Sequence, residues 1–423
     1  HLSLRRQRQM CIRDSNLYPF EDVISDTDSS MELALENIDI GGPAMTRAAA
    51  KNFLNVLIVV DPKDYEWVGK LIMSGNISVS DRRRLAAKAF QHVAFYDSLI
   101  ADYLFEDSKS ELYRDKLTNA WERVSLPRYG ENPHQSAAIY KRANEKGGIV
   151  NSTKLHGIDM SYLNYYDADA AWNAVTSFHQ PCVAIVKHSN PCGLAVNQDQ
   201  TEAYKHALSG DPVSAFGGIV GFNTKVSENT AKTMEGIFLD VIVAPSYETR
   251  ALEILTKRKK TRILQVHPDS GSPIMIRSVS GGILLQESDL NDDQPDRWSI
   301  VSKATPSKKT NEDLRFAWTV SGLVKSNAIV IAKDKAIQGI GAGQPNRLNS
   351  VRLAIEAAGE DVKNSVLASD AFFPFPDGIE EAAKAGVKAV IQPGGSIRDT
   401  ECINAVNNLG ITMVFTGTRH FLH

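Results

Sequence analysis

Cysteine is scarce in this chain of 423 residues. Four thiols are too few for a disulfide framework and fit a reducing compartment, so a cytoplasmic location is expected. Long hydrophobic runs are missing as well: the longest aliphatic stretches, such as Val56–Val60 and Ala328–Ala332, fall far short of the ~20 residues a membrane span needs. No charge of one sign dominates. A net charge of −3 gives no field for nucleic acid or an anionic membrane, and neither is an expected partner. What the chain does have is 43% hydrophobic and 23% charged residues, a globular composition, over a length ample for two or three cores.

The first fifteen residues, HLSLRRQRQMCIRDS, stand apart. They carry four arginines against one aspartate, do not start with Met and show no amphipathic period. A targeting peptide is one reading. The favoured reading is a non-native basic leader over 1–15, ahead of a chain whose own start is missing. From Asn16 to about 125, short apolar runs alternate with helical periodicity. Asn55–Val60 reads as a buried strand and Asp64–Met73 as a helix. Ser80 reads as the N-cap of a long helix to Phe105, with Leu85, Ala89, Phe90, Val93, Leu99, Ile100 and Tyr103 on its apolar face. A charged stretch, 106–123, leads to a domain boundary near 125.

Beyond it the pattern is α/β throughout. Strand-like runs at 183–186, 218–222, 241–244, 327–332, 365–368, 388–391 and 411–415 alternate with helical patterns at 202–208, 350–358, 379–385 and 399–408. That alternation implies a layered sheet with helices on its faces. The polar region 256–312 is expected to connect two sub-units, about 126–265 and 310–423. A faint echo between them, Asp211/Phe216 against Asp370/Phe372, is not enough to claim a duplication.

Five stretches carry candidate chemistry. In VAIVKHSNPCG (183–193) a buried strand delivers Lys187 and His188 into a turn assigned to Asn190, Pro191 and Gly193. Adjacent Lys and His at a strand end suit a general base beside a positive charge. The plainer alternative is a snorkelling lysine and a histidine satisfying the backbone. Cys182 and Cys192 flank the pair and raise zinc-deaminase chemistry. However, H-x-E is absent, and the two Pro-Cys pairs stand ten apart where C-x-x-C is needed. No metal is expected, and the thiols read as small core or turn residues.

LPRYGENPHQ (126–135) places Arg128 and Tyr129 on a breaker-rich loop suited to a phosphate and a flat ring, or simply to a linker. GIGAGQ (339–344) departs from a dinucleotide loop; it reads as a close approach to a ligand near Arg347 or as a glycine-rich strand end. SDAFFPFPD (369–377) reads as an aromatic wall for a flat ligand, although core packing explains any one of its phenylalanines. The terminal Arg419–His423, after a strand, is placed to close a site.

Taken in order, RYGENPHQ, KHSNPCG, SAFGG, KSNAIV, GIGAGQ, SDAFFPF and RHFLH resemble the transformylase part of the bifunctional purine biosynthesis family, AICAR formyltransferase joined to IMP cyclohydrolase. NLYPF (16–20) and DIGGPAMTRAAAKN (39–52) resemble its cyclohydrolase half, so the resemblance runs from Asn16 to His423. It implies an α/β fold: a partial Rossmann-like, methylglyoxal-synthase-like first domain over 16–125, then two cytidine-deaminase-like α/β/α units without zinc over 126–423. It implies formyl transfer from the co-substrate 10-formyltetrahydrofolate to AICAR, giving FAICAR, which is then closed to IMP. A homodimer with sites across its interface is implied too. His188 falls on the general base and Lys187 on the group stabilising the transition state. AICAR would meet Arg128 and Tyr129 from the partner subunit, with Asn164, Phe216, Gly217, Asp240, Asn327, Arg347, Arg419, Phe421 and His423. The folate would meet Leu348, Phe372, Pro374, Asp377, Ser396 and Ile397. Asn16, Tyr18, Asp39 and Ile40 fall on IMP-binding positions and Lys51 on the cyclohydrolase lysine. The family's first strands and phosphate loop have no counterpart, so that second site is expected to be incomplete. Two other classes stay open: a homologue that binds AICAR and folate without turnover, and a metal-dependent aminohydrolase.

Overall fold

The computed structural model describes residues 11–26, 28–105, 113–268, 274–289 and 295–423. Leader residues 1–10 and residues 106–112 of the charged stretch lie outside it, as do 269–273 and 290–294 of the polar region. The chain forms two compact units. One takes in the chain up to Val124 with Tyr140–Glu145 and Ile276–Leu285; the other takes in the remainder. Among the described residues no helix is long and apolar enough to cross a membrane.

The first unit is mostly helical. Strand β1 (Cys11–Asp14) is followed by α1 (Phe20–Ile24), α2 (Met31–Glu36), α3 (Gly41–Lys51), β2 (Val56–Val59), α4 (Tyr65–Ser74) and α5 (Val79–Leu104). The leader is therefore not separate over its whole length: β1 pairs in parallel with β2, Cys11 opposite Val56 through Asp14 opposite Val59. An open edge on β2 offers unpaired backbone groups, which is reason enough for a neighbouring segment to add to it. The long helix starts two residues earlier than the sequence suggests. Ser78 caps it in a reciprocal box with Asp81, and Ser80 lies inside the first turn. Leu85, Ala86, Ala89, Val93, Tyr96 and Leu99 form its buried stripe. Phe90, expected on that stripe, faces solvent. Strands β3 (Trp121–Ser125) and β4 (Ile139–Arg142) make a two-stranded sheet.

The second unit is built on a twelve-stranded sheet. Its first half runs β5 (Thr153–His156), α6 (Tyr162–Thr176), β6 (Cys182–Lys187), β7 (Asn190–Val196), α7 (Gln200–Gly210), β8 (Gly218–Phe222), α8 (Glu228–Thr233), β9 (Leu239–Ala244), α9 (Thr249–Leu255) and β10 (Arg262–Gln265). The chain then forms a hairpin, β11 (Ile274–Val279) and β12 (Gly282–Glu287), most of which belongs to the first unit. The second half runs β13 (Ser299–Ile300), α10 (Lys308–Ser321), β14 (Ile329–Lys333), β15 (Ala336–Gly341), α11 (Arg347–Ala358), β16 (Val366–Ser369), α12 (Asp377–Ala385), β17 (Ala389–Gln392), α13 (Asp399–Leu409) and β18 (Thr412–Phe415).

The halves repeat one another. Each has an antiparallel hairpin (β6–β7; β14–β15), then three parallel strands (β8–β9–β10; β16–β17–β18), then an antiparallel edge strand (β5; β13). They join where β7 meets β15, Ala195 opposite Ala336, with the two strands antiparallel. Matching helices begin on matching caps, Ser161 for α6 and Ser307 for α10. Gly193 and Gly339 match as well. A Cβ on either would run into a helix carbonyl, Ala207 O or Ala354 O, so both let α7 and α11 lie close on the sheet. The duplication is real, but Asp211 precedes β8 while Asp370 follows β16, so the sequence echo paired positions that are not equivalent.

The strand period of two builds three apolar layers. Cys182, Ala184 and Val186 of β6, together with Val330 and Ala332 of β14, face a core shared by α6 and α10. Val183 and Ile185 face α7–α9 on the other side. Ile329 and Ile331 face α11–α13.

Candidate active site

Lys187 and His188 lie at the end of β6, but the turn is not where the sequence put it. Lys187 pairs with Asn190 across the hairpin, so Asn190, Pro191 and Gly193 already belong to β7. The turn is His188–Ser189, with φ of 52° and 62°. Left-handed φ at both central residues is the tight hairpin geometry that matches strand twist, and for non-glycine residues it costs ~1–2 kcal/mol each. Asp167 of α6 offsets that cost by accepting from the Ser189 backbone N–H at 2.8 Å and its hydroxyl at 3.1 Å.

The exposed imidazole of His188 is thus carried on a braced turn. Lys187 Nζ donates to the carbonyls of Gly217 (2.9 Å) and Phe216 (3.2 Å), which brings three expected site residues together. Gly217 holds φ 69°, and its N–H donates to Phe238 O at 2.7 Å. Two residues on, Asp240 stands 3.5 Å from the Arg262 guanidinium, which also donates to Asp159 O just before α6. Asn164, on the first turn of α6, is buried and forms the capping box with Ser161.

A second cluster comes from the other repeat. Arg347, at the start of α11, donates to Asp370, to Ser369 Oγ (2.7 Å) and to Asn327 Oδ1 (2.6 Å). Ser326 Oγ donates to Asp370 Oδ2 at 2.6 Å and accepts from the Leu422 N–H at 3.1 Å. Asn327 Nδ2 donates to Gln344 O at 2.7 Å. The C-terminal segment is pinned to this network by two further bonds, Ser326 N–H to Leu422 O and His420 N–H to Asp370 O. His420 is buried, its Nδ1 2.6 Å from Asp289 and its ring 5.1 Å from that of Trp318. Asn327, Phe421 and His423, with Ser326, Gly343, Gln344 and Pro345, line a cavity of about 390 Å³. Arg419 lies outside that lining, its guanidinium 4.7 Å from the Phe421 ring centre. The two clusters share one sheet edge, where Asn190 Oδ1 lies 3.5 Å from the Lys325 N–H.

The expected folate residues stand beside the second cluster, on the first turn of α11 (Leu348), the loop after β16 (Phe372, Pro374), the start of α12 (Asp377) and the loop after β17 (Ser396, Ile397). The loop after β16 is tied to the end of β17 by the Phe373 N–H on Gln392 Oε1 at 2.7 Å. The aromatic wall is only partly a wall: Phe373 is 1% exposed and belongs to the core, whereas Phe372 and Phe375 are open. GIGAGQ divides between its two readings: Gly343 and Gln344 line the cavity, while the first half is a glycine-rich strand end. Gly339 and Gly341 end β15 and face the backbone of α11, where a Cβ on Gly341 would meet Ser350 O.

The cysteines do not converge. Cys182 faces the shared core, and burial pushes its thiol well up; Cys192 packs on the opposite side of the sheet, its thiol pushed up to about 12 by burial and then by Asp211. Arg128 and Tyr129 lie on their own loop, the guanidinium 5.8 Å from the ring.

In the first unit, Asp39 Oδ1 accepts from the Gly42 N–H at 2.6 Å, and a Cβ on Gly42 would crowd both Asp39 and Leu17. The segments holding Asn16, Tyr18, Asp39 and Ile40 are thus neighbours, with Asn16, Tyr18 and Ile40 open to solvent. Lys51 is exposed at the other end of α3, about 15 Å along the axis from Gly41. Asp167, Ser326 and Ser369 are not singled out by sequence reasoning, although Ser326 stands in KSNAIV and Ser369 opens SDAFFPF. The signal for Asp167 is the internal repeat, which places it opposite Asp313.

A family model described as "AICARFT/IMPCHase bienzyme" matches residues 49–357. Among similar proteins, the bifunctional purine biosynthesis protein PurH of Bacillus subtilis (strain 168) is 47% identical over 412 residues, covering 96% of this chain and 80% of the relative. Its namesake from Thermoanaerobacter sp. (strain X514) is 48% identical over 409 residues, with the same coverage.

Proposed function

Because the chain belongs to the AICARFT/IMPCHase bienzyme family, we propose that the His188 turn and the Asn327–Arg347 cluster together form its formyl-transfer site. The protein is a purine-biosynthetic enzyme with AICAR formyltransferase and IMP cyclohydrolase activities, and 10-formyltetrahydrofolate is its formyl donor. What supports this placement is the shared sheet edge, where a base and a cation on a braced turn stand beside a cavity lined by polar groups and aromatic rings.

In the proposed mechanism the 5-amino nitrogen of AICAR attacks the formyl carbon while His188 takes a proton from that amine. An oxyanion develops on the formyl oxygen. Lys187, with two of its three N–H donors held by Phe216 and Gly217, aims its charge at the developing anion and the departing folate nitrogen. The carbon–nitrogen bond to the folate breaks, that nitrogen takes up a proton, and FAICAR remains. A positioned base contributes ~10²–10⁴ in rate, and a preorganised charge ~3 kcal/mol.

Asn164, Phe216, Gly217, Asp240, Asn327, Arg347, Arg419, Phe421 and His423 are assigned to AICAR. Arg347 acts there through Asn327, since its guanidinium is engaged by Asp370 and Ser369. Leu348, Phe372, Pro374, Asp377, Ser396 and Ile397 are assigned to the folate. Arg128 and Tyr129 are assigned to the AICAR site of a second subunit in a homodimer. The two repeats are read as cytidine-deaminase-like units, and the first unit as a partial Rossmann-like, methylglyoxal-synthase-like domain. There Asn16, Tyr18, Asp39 and Ile40 are assigned to IMP and Lys51 to the cyclohydrolase step. A cytoplasmic location goes with this reading.

The test follows tetrahydrofolate release and IMP formation separately, with AICAR and 10-formyltetrahydrofolate, for the chain and for His188→Ala. Tetrahydrofolate release that disappears in the variant supports the site. A folded chain that binds AICAR and releases no tetrahydrofolate overturns it in favour of a binding homologue, and activity lost to a chelator would favour the aminohydrolase.

A further inference from the structure

We propose that Asp167 is a positioning residue for formyl transfer, acting through the His188–Ser189 turn; this rests on the assignment of His188 above. Both turn residues hold left-handed φ without being glycine, so something outside the hairpin must keep them there. One carboxylate oxygen does so, taking both the Ser189 N–H and its hydroxyl. The pair of bonds fixes the Ser189 backbone and side chain at once, and with them the residue that precedes it.

The second repeat shows what the device looks like without chemistry. Asp313, at the matching place on α10, accepts from the Lys335 N–H at 2.9 Å and holds the turn Asp334–Lys335, with φ of 54° at both residues. Lys335 has no hydroxyl to add, and Asp313 Oδ2 is left without a partner. The backbone bond therefore belongs to the scaffold, and the hydroxyl bond is an addition at the tip that carries His188. Asp167 also stands three residues after Asn164, on the same face of α6. One rigid helix thus holds the base through its turn and, through Asn164, the assigned AICAR site.

The experiment measures kcat and KM for tetrahydrofolate release in the full chain, its Asp167→Ala, Asp167→Asn and Asp313→Ala variants, and His188→Ala. Asp167→Ala is expected to lower kcat about 30-fold, with KM for AICAR and for the folate within about threefold, as a displaced base should. Asp167→Asn, whose amide oxygen accepts the same two bonds, is expected to stay within about fivefold of the parent. Asp313→Ala is expected to keep kcat within about twofold. If Asp167→Ala does not fold by circular dichroism, Asp167→Glu, which shifts the carboxylate by one methylene, carries the same expectation. Unchanged kcat in Asp167→Ala, or in Asp167→Glu where that stands in for it, or an Asp313→Ala variant that loses as much, overturns the proposal. A parent chain with no activity, or a His188→Ala variant with full activity, sinks the site assignment instead, so the two failures are told apart.

Discussion

The twelve-stranded sheet has two edges built to one plan, and only one is assigned chemistry. At the first, the tip Lys187–His188–Ser189 of one repeat stands beside the Ser326–Asn327–Arg347–Asp370 cluster of the other. At the second, the tip Lys333–Asp334–Lys335 stands beside Gln180 and Asn223, with Lys335 Nζ 3.4 Å from Gln180 Oε1. Asn223 and Asp370 are equivalent, for each sends its N–H to the first residues of a hairpin strand, Cys182 O and Ala328 O. Their side chains differ in consequence. Asn223 closes on itself, accepting from the Cys182 N–H and donating to Phe178 O and Gln180 O. Asp370 instead holds a buried arginine that presents Asn327 to a cavity. The tips differ likewise. Asp334 is tied to Lys309, which keeps its carboxyl below the usual range, whereas the His188 imidazole stands exposed. The same backbone thus yields a site or a closed end according to a few side chains.

Exchanging the tips tests this most severely. His188→Asp should cost formyl transfer about 10³-fold, while Asp334→Ala should leave it within about twofold; tetrahydrofolate release reads both. Next comes the cluster. Asp370→Asn strands a buried Arg347 and should lower stability by about 3–5 kcal/mol in urea melts, with Asn223→Ala costing less because no charge is left behind. Gly193→Ala and Gly339→Ala should each cost roughly 1–3 kcal/mol, and by similar amounts, if the repeats pack alike. The smallest effect concerns Asp313. Burial raises its carboxyl above the ordinary value of 3.8, so the folded state holds the proton more tightly than the unfolded chain does. That destabilises the fold above the raised value; the penalty fades as pH falls from there towards 3.8 and is gone below it. Asp313→Asn should therefore raise the melting temperature at pH 7.5 and leave it unchanged near pH 3.

Much of this was legible in the chain. Continuous apolar runs located β6, β8, β9, β14 and β16–β18 within a residue or two, because strands buried on both faces read as unbroken apolar stretches. Helix α6 was missed, since its polar residues, such as Asn173, obscure the stripe made by Ala168, Ala171, Trp172 and Val175. Strand β7 reads as a turn because Asn-Pro usually marks one; what decides the matter is the left-handed pair before it, His188 and Ser189. The duplication has a sequence signal of its own. Ser161, Asp167, Ala171 and Trp172 recur at the same spacing as Ser307, Asp313, Ala317 and Trp318. Among the site residues, Lys187 and His188 stood out by their place at a strand end. Arg347 gave no hint that its partner would be an aspartate 23 positions on, since such pairings are made by the fold alone.

The antiparallel meeting of β7 with β15 has a consequence for ancestry. Two copies of a single repeat, joined edge to edge about a twofold axis, would present two identical rims, and any residue suited to catalysis would appear in both. Tandem linkage in one chain breaks that identity. Each rim takes its tip from one copy and its cradle from the other, so each can drift without the other following. One has kept an imidazole beside an open cavity while its twin has sealed over with amides.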